Sequence, residues 1–223
     1  MNDIHNSMVS RLGALLVAAV GLIALSGRAA AAEAGEMEVS GVTGAVRLSD
    51  ASAFPLTTTP GAFSPGVRFA YGVAEMVDIV AGYQGLIGMQ HETDDGVVFK
   101  TAVHGLVAGA RARLPLVSDW FYAWVQLELE ANLAVLDVDL AGRKASQSAW
   151  SFGAVPQAGL EVAGHLGEDV AIVTRLGAGY ALRMAHDFDA VSATDAEVAT
   201  RPMDLGSASF GGFVITTSVG LRF

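Results

Sequence analysis

Two groupings of histidine with carboxylates are the first candidates for chemistry in this sequence. His91 is followed by Asp94 and Asp95, and His186 is followed directly by Asp187. A histidine beside a carboxylate can act as a general acid or base if a nucleophile and a substrate lie within hydrogen-bond reach. No spacing in the sequence assembles a nucleophile, a base and an orienting group. We therefore expect no enzymatic activity.

The same two regions carry clustered carboxylates, and carboxylate oxygens can bind calcium. The clusters are Glu92, Asp94 and Asp95 in the first region, and Asp187, Asp189, Asp195, Glu197 and Asp204 in the second. In the second cluster, Asp187, Asp189 and Asp195 lack the glycine and the closing glutamate of an EF-hand loop at the required places. The chain has no cysteine, which excludes a thiolate metal site. We expect solvated loops without a metal or cofactor; the alternative is divalent bridging to anionic lipopolysaccharide.

The elements that position these side chains are predicted to be β-strands. Past residue 36, apolar and small or polar residues alternate with a period of two between clusters of turn residues. In the last segment Phe213, Ile215 and Leu221 share one parity, and the other parity is small or polar. Eight such segments follow one another: Glu38 to Leu48, Gly66 to Ala74, Ile79 to Gln90, Phe99 to Leu114, Trp120 to Leu136, Trp150 to Ala163, Val170 to Arg183 and Phe210 to Phe223.

The links between these segments are predicted to alternate in length. Long links lie near 49–65, 91–98, 137–149 and 184–209, and short turns lie near 75–78, 115–119 and 164–169. Short turns at one end and longer loops at the other are typical of a transmembrane β-barrel. We therefore predict one all-β domain over residues 37–223, an up-and-down antiparallel barrel of eight strands.

The N-terminus is predicted to be an export signal over residues 1–32. Arg11 precedes an apolar run from Leu12 to Leu25, and small residues end at Ala32. Cleavage after Ala32 or after Ala34 fits this pattern. The alternative is a membrane anchor, but the run is shorter than the roughly 17 residues that a spanning helix needs. The formal net charge of −10 makes nucleic acid an unsuitable partner.

Charged residues within the segments indicate which parity faces the barrel interior, or lumen. An arginine or lysine on the lipid side costs about 2–4 kcal/mol at mid-bilayer. In the fourth segment we choose the parity that turns Arg111 and Arg113 inward and Lys100 and His104 outward. The predicted lumen charges are Arg47, Arg68, Arg111, Arg113, Arg175, Arg183, Arg222, Glu128, Glu130 and Glu161.

Seven arginines against three glutamates leave two interpretations of the lumen. One is a narrow path that favours anions. The other, which we favour, is a structural network that closes the barrel, because eight strands leave an interior only about wide enough for side chains.

Aromatic residues near the segment ends are predicted to form interfacial girdles. Trp120, Phe121, Tyr122 and Phe223 would lie at the periplasmic end, and Trp150 and Phe152 near the outer end. Pro156, inside the sixth segment, removes one backbone donor, so we expect it at a β-bulge.

The terminal segment, ending Val219-Gly220-Leu221-Arg222-Phe223, resembles that of the small outer-membrane β-barrels of Gram-negative bacteria. The resemblance covers residues 37–223 as a pattern rather than as a matched sequence. It implies an outer-membrane location and gives Val219, Leu221 and Phe223 the role of a signal read by the barrel assembly machinery. It implies lipids and lipopolysaccharide as surroundings, and it does not identify a ligand.

We expect a monomer that serves as a structural or surface-interaction scaffold with a charge-filled lumen and exposed loops. The alternative is a small channel or conduit for anions or apolar solutes. A lipid-modifying enzyme ranks below both. Lipid A deacylases resemble the chain in size, but they use a His-x-Ser pair that residues 37–223 lack. His91, His104, His165 and His186 all lack a serine two residues on. A soluble carrier of the lipocalin kind ranks last among binding modules, since it would need its charges on the outside.

Overall fold

A computed structural model of the chain describes residues 35–58, 60–94, 96–117, 120–140, 143–167, 169–189 and 206–223. The predicted signal peptide lies outside these residues. The elements are β1 (Met37–Leu48), a 3-10 helix η1 (Ala51–Leu56), β2 (Gly61–Ala74), β3 (Val77–Glu92), β4 (Val97–Val117), β5 (Phe121–Leu140), β6 (Arg143–His165), β7 (Ala171–Arg183), β8 (His186–Asp187), β9 (Ser207–Ala208) and β10 (Gly212–Arg222).

Eight of the strands close into an antiparallel barrel, which confirms the predicted fold class. The strands β1 to β7 pair in chain order, and β10 lies between β7 and β1. Closure pairs Glu38 with Arg222, and Met37 and Phe223 exchange two backbone hydrogen bonds of 2.8 and 2.9 Å. A closed barrel has no free sheet edge, so every strand obtains a partner on both sides. No helix in the described part of the chain is long and apolar enough to cross a membrane.

The two faces of the barrel wall follow the predicted alternation. Leu106, Leu127 and Ile215 are exposed on the outside, and Arg111 and Glu128 are buried inside. The parity chosen for β4 holds along that strand, because Lys100 and His104 are exposed while Arg111 and Arg113 are buried. The girdle residues Trp120, Trp150, Phe152 and Phe223 are also exposed. The assignment of Tyr122 to the girdle at the periplasmic end was wrong. Its side chain faces the lumen from β5 and is 1% exposed.

Two of the four predicted long links are strand. The stretches 91–98 and 137–149 belong mostly to β3, β4, β5 and β6, so the connections shrink to 93–96 and 141–142. Apolar alternation stops there while the backbone ladder continues, with Asp137 paired to Ser146 and Asp139 to Lys144. A strand that leaves the apolar layer no longer needs apolar side chains outside, so hydropathy underestimates its length. The links 49–60 and 184–211 remain long.

Pro156 does not lie at a bulge, contrary to the prediction. It pairs with Leu127 in a continuous β5–β6 register, and the β6–β7 register is the same on both sides of it. A proline lacks only the backbone donor, so it interrupts pairing locally without shifting the strand. The irregularity in the upper wall lies instead in β3 between Leu86 and Met89, where Gly88 has a φ of 86°.

The outer half of the lumen is filled by apolar side chains. These include Val46, Leu48, Leu56, Met89, Phe99, Leu136, Phe188 and Phe210, all buried in one cluster. Part of it comes from η1, whose N-cap Asp50 accepts a bond of 2.9 Å from the Ser52 backbone. That backbone bond lowers the pKa of Asp50. We call this cluster the outer plug, and it fills the end of the lumen that is farther from the chain termini.

Candidate functional site

The inner half of the lumen, which is the half nearer the chain termini, holds a compact cluster of buried charges. We call it the basal cluster. Its members are Glu38, Asp78, Arg111, Arg113, Glu161, Arg175 and Arg222. Arg175 is at its centre: both terminal nitrogens bind the Glu38 carboxylate at 2.5 Å, and Nε binds Glu161 Oε2 at 2.6 Å. Two carboxylates on one guanidinium satisfy most of its planar donors.

The other three arginines share the same carboxylates. Arg222 bridges Glu161 at 2.9 Å and Glu38 at 3.1 Å. Asp78 holds Arg111 at 2.9 Å through one oxygen and Arg113 at 2.6 Å through the other. Charges taken out of water are stable only when they are paired and hydrogen-bonded. The basal cluster therefore joins β1, β3, β4, β6, β7 and β10 across the barrel.

Two smaller ion pairs lie above the basal cluster. Arg68 binds Glu128 through Nε at 2.6 Å and through Nη2 at 3.0 Å. Arg183 binds Glu130 in the same bidentate way, at 2.7 and 3.0 Å, and also donates to the Phe210 carbonyl at 2.9 Å. The Arg183 bond to Phe210 ties the charged layers to the outer plug.

The structure brings the predicted lumen residues together, with one correction. Arg68, Arg111, Arg113, Arg175, Arg183, Arg222, Glu128, Glu130 and Glu161 are all buried inside. The prediction was wrong for Arg47, which is exposed on the outer wall beside the buried Val46 and Leu48. Arg47 is near the outer end of β1, where a charge can reach the headgroups, so the mid-bilayer penalty does not apply to it.

Sequence reasoning missed two carboxylates of the basal cluster, Glu38 and Asp78. Glu38 has the opposite parity to Arg47 in β1, so placing Arg47 inward turned Glu38 outward. The position of Glu38 along the strand could have identified it, because Glu38 is near the end of β1 and pairs there with Arg222 of β10. Asp78 was assigned to a turn, although it pairs with Arg111 in the β3–β4 ladder.

These corrections change the charge balance of the lumen. Among the described residues, six buried arginines now face five buried carboxylates, in place of seven against three. The cavity between the charged layers measures about 30 Å³ and is lined by Arg68, Glu128, Arg175 and Thr216 among others. A volume of that size holds about one or two waters. The described charges of the lumen are thus nearly balanced, and the space between the charged layers is small.

The histidine–carboxylate groupings do not form a catalytic arrangement in the described part of the chain. His91 has no acidic group within ion-pair distance there, and Asp95 lies outside the described residues. His186 is fully buried in the outer plug, 2.8 Å from Ser151 Oγ through Nε2, between the rings of Phe188 and Phe210. Burial lowers the pKa of His186 below its ordinary value. Of the second acidic cluster, only Asp187 and Asp189 are described, and no metal-binding group is found among described residues.

Solved structures with the same architecture identify the fold. The surface protein A of Neisseria (NspA) matches with a TM-score of 0.51 at 14% identity, covering 84% of this chain and 97% of that one. The fold is that of the small bacterial outer-membrane β-barrels. Ail, the attachment invasion locus protein of Yersinia pestis, matches at a TM-score of 0.46 and 12% identity, covering 85% of this chain and 99% of that one.

The outer membrane protease OmpT from Escherichia coli is also similar to this chain. It matches at a TM-score of 0.40 and 6% identity, covering 89% of this chain and 99% of that one. No protein-family model matches the chain, and no curated protein matches its sequence. At 14% identity, the likeness to NspA establishes the architecture alone.

Proposed function

We propose that this chain is a monomeric outer-membrane β-barrel that serves as a closed scaffold, with its outer end as the surface for interactions. The observation that carries this proposal is the filled interior, charged in the inner half and apolar in the outer half. A closed interior leaves the extracellular strand extensions and loops as the accessible surface on that side.

The outer wall supports a membrane location. The outward residues of β4 from Leu106 to Leu116 are all leucine or alanine, a stretch of about eleven residues, which is the length of a membrane-spanning strand. The outward residues of β5 are likewise apolar from Phe121 to Val135. Such a belt exposed to water would be an aggregation surface, whereas in a bilayer it is solvated. Lipids and lipopolysaccharide of the outer membrane are the proposed surroundings.

The charge balance argues against an anion channel. Selectivity for anions would require unpaired arginines along a continuous path. Here Arg175 is fully engaged by two carboxylates, and the outer plug lies above the ion pairs. We infer that the native state does not conduct.

We also infer that the chain is not an enzyme. The best acid–base candidate in the described residues is His186 with Ser151. Both are buried, and the His186 ring contacts Phe188 and Phe210, so the pair is out of reach of a substrate. A nucleophile must touch its substrate, so this pair is better suited to holding the outer plug in place.

The exposed terminal residues support recognition during assembly. Val219, Leu221 and Phe223 alternate on the outer wall and are each about half exposed. We propose that they are read by the barrel assembly machinery before closure, when β10 is not yet paired with β1.

Fractionation, gel mobility and conductance together test the proposal. We expect the protein in the outer-membrane fraction, with slower gel migration after boiling. In a planar bilayer we expect no discrete steps from the wild type. An Arg68→Ala, Arg175→Ala variant should leave carboxylates unpaired and loosen the lumen. Anion-favouring steps from the wild type, altered by the two substitutions, would instead establish the channel.

A further inference from the structure

A groove crosses the outer wall of the barrel where β3, β4 and β5 leave the apolar belt. Its volume is about 380 Å³. Lys100 and His104 lie in it on either side of Ala102 along β4, and Gln90 and Asp137 flank it from β3 and β5. The ion pairs of the lumen play no part in this groove, because these side chains face outward.

The backbone of β3 creates the space for this groove. The register of β3 shifts between Leu86 and Met89, and Gly88 occupies the left-handed region with a φ of 86°. Nothing lies within 4 Å of where a Cβ of Gly88 would be. With Ala102 as the neighbouring residue, the floor of the groove is made of very small side chains. A group larger than water can therefore approach the wall closely here.

The groove lies at the boundary between the apolar belt and water. Along β4 the outward residues are apolar from Leu116 up to Leu106, and His104 is the first polar one. Along β5 the outward residues remain apolar up to Val135, and Asp137 follows. His104 is also on the same inter-strand row as the exposed Trp150, through Leu133. Aromatic girdles mark headgroup level, so the groove opens among headgroups.

Hydrogen-bond donors in the groove are unused. The Tyr83 hydroxyl lies 2.6 Å from His104 Nδ1. When that hydroxyl donates, the neutral imidazole carries its proton on Nε2, which remains a free donor. Lys100 has no ion-pair or hydrogen-bond partner among the described residues, although Asp137 is opposite it in the ladder. An ammonium and an imidazole N–H around a small floor suit a tetrahedral oxyanion.

We propose that this groove binds the phosphate group of a phosphorylated outer-leaflet lipid, with Lys100 and His104 as its donors. This inference rests on the proposed membrane location. The lipid source follows from the surroundings of the groove: Val135 and Leu106 continue directly from it down the belt, where acyl chains attached to a bound headgroup would lie. A free phosphate would make no use of that apolar surface.

Native mass spectrometry of the refolded full chain in detergent micelles tests the proposal. The probes are bisphosphorylated lipid A, the same lipid with its phosphates removed, and inorganic phosphate. We expect binding of the phosphorylated lipid only. Lys100→Gln and His104→Gln should each weaken it about tenfold, the effect of losing one charge-assisted hydrogen bond. Asp137→Asn should strengthen it about twofold by removing an exposed like charge.

Lys144→Gln is the matched control, because Lys144 is also an exposed lysine at the outer end of the wall, on β6 and outside the groove. Equal binding by this control and by the Lys100→Gln, His104→Gln double variant would overturn the proposal. So would equal binding of the dephosphorylated lipid, or displacement of the lipid by inorganic phosphate at matched concentration. Only heat-modifiable protein is scored in these comparisons. Recovery of the chain from the soluble periplasm would overturn the membrane location as well.

Discussion

Replacing Glu161 with glutamine should destabilise the barrel by about 3–5 kcal/mol, the cost of removing one partner from a buried ion pair. Glu161 is fully buried. Its carboxylate accepts from Arg175 at 2.6 Å and from Arg222 at 2.9 Å, and lies 3.6 Å from Arg113. Glutamine keeps the volume but removes the charge, so three guanidiniums lose a counter-ion that water cannot replace.

A double variant separates the cost of unpaired charge from the cost of altered packing. Arg175→Gln alone leaves Glu38 and Glu161 with fewer donors, and Arg175→Gln with Glu161→Gln removes one charge of each sign. The double variant should therefore cost less than the sum of the two single variants, by about 1–3 kcal/mol. Glu92→Gln is the control, because Glu92 is exposed at the outer end of β3. It should change stability by less than about 0.5 kcal/mol.

The assay is urea unfolding in phospholipid vesicles, followed by tryptophan fluorescence and by the gel shift on boiling. Trp124 faces the lumen near the basal cluster and donates to the Leu160 carbonyl at 3.1 Å, so its emission reports on the interior. If Glu161→Gln unfolds at the same urea concentration as Glu92→Gln, the basal cluster does not stabilise the barrel through charge pairing, and the reasoning fails.

Three further outcomes are expected from other parts of the barrel. Gly177→Ala should cost about 1–3 kcal/mol, because its Cβ would clash with the Trp124 ring, whereas Gly41→Ala, with nothing within 4 Å of its Cβ, should unfold like the wild type. Burial lowers the pKa of His186, with Arg183 adding to the effect and Asp187 opposing it, so the unfolded chain binds a proton more readily. Stability should then fall as pH drops below about 6.5, and proteolysis of the outer loops should reveal it; a pH-independent rate would contradict this. Phe223→Ser should lower the yield of heat-modifiable barrel in cells while refolding in vitro is unchanged, and equal yields would remove the role given to the terminal residue.

The strand order and the barrel could be predicted from the sequence because alternation is a local property that the membrane enforces on every strand. Along β10 the outward Phe213 and Ile215 alternate with inward residues that are mostly small, up to the inward Arg222. Lipid on one side and packed side chains on the other require that period. Strand count and antiparallel order then follow from the segments and their short links.

Alternation alone could not predict which residues of β1 face the lumen, nor how far the strands extend beyond the membrane at their outer ends. β1 has Glu38 on one parity and Arg47 on the other, so charge alone does not orient it; the depth of each residue in the membrane decides. Above the membrane, residues such as Asp137 and Lys144 make a strand look like a loop. The outer plug was missed for another reason, because Val46 and Leu48 are apolar residues on an inner face that was expected to be polar.

The division of the lumen into a charged inner half and an apolar outer half favours a scaffold over a gated pore. Opening a path would require separating buried ion pairs and also withdrawing the outer plug. Arg183 bonds the plug to the ion pairs by donating to the Phe210 carbonyl at 2.9 Å, and within the plug the Ser209 backbone donates to Ser52 in η1 at 3.0 Å. Because the segments next to the long links are fixed inside the barrel in this way, a partner on the outer surface would meet loops whose bases are rigid. Such pre-organisation reduces the entropy lost on binding, which is the useful property of a surface scaffold.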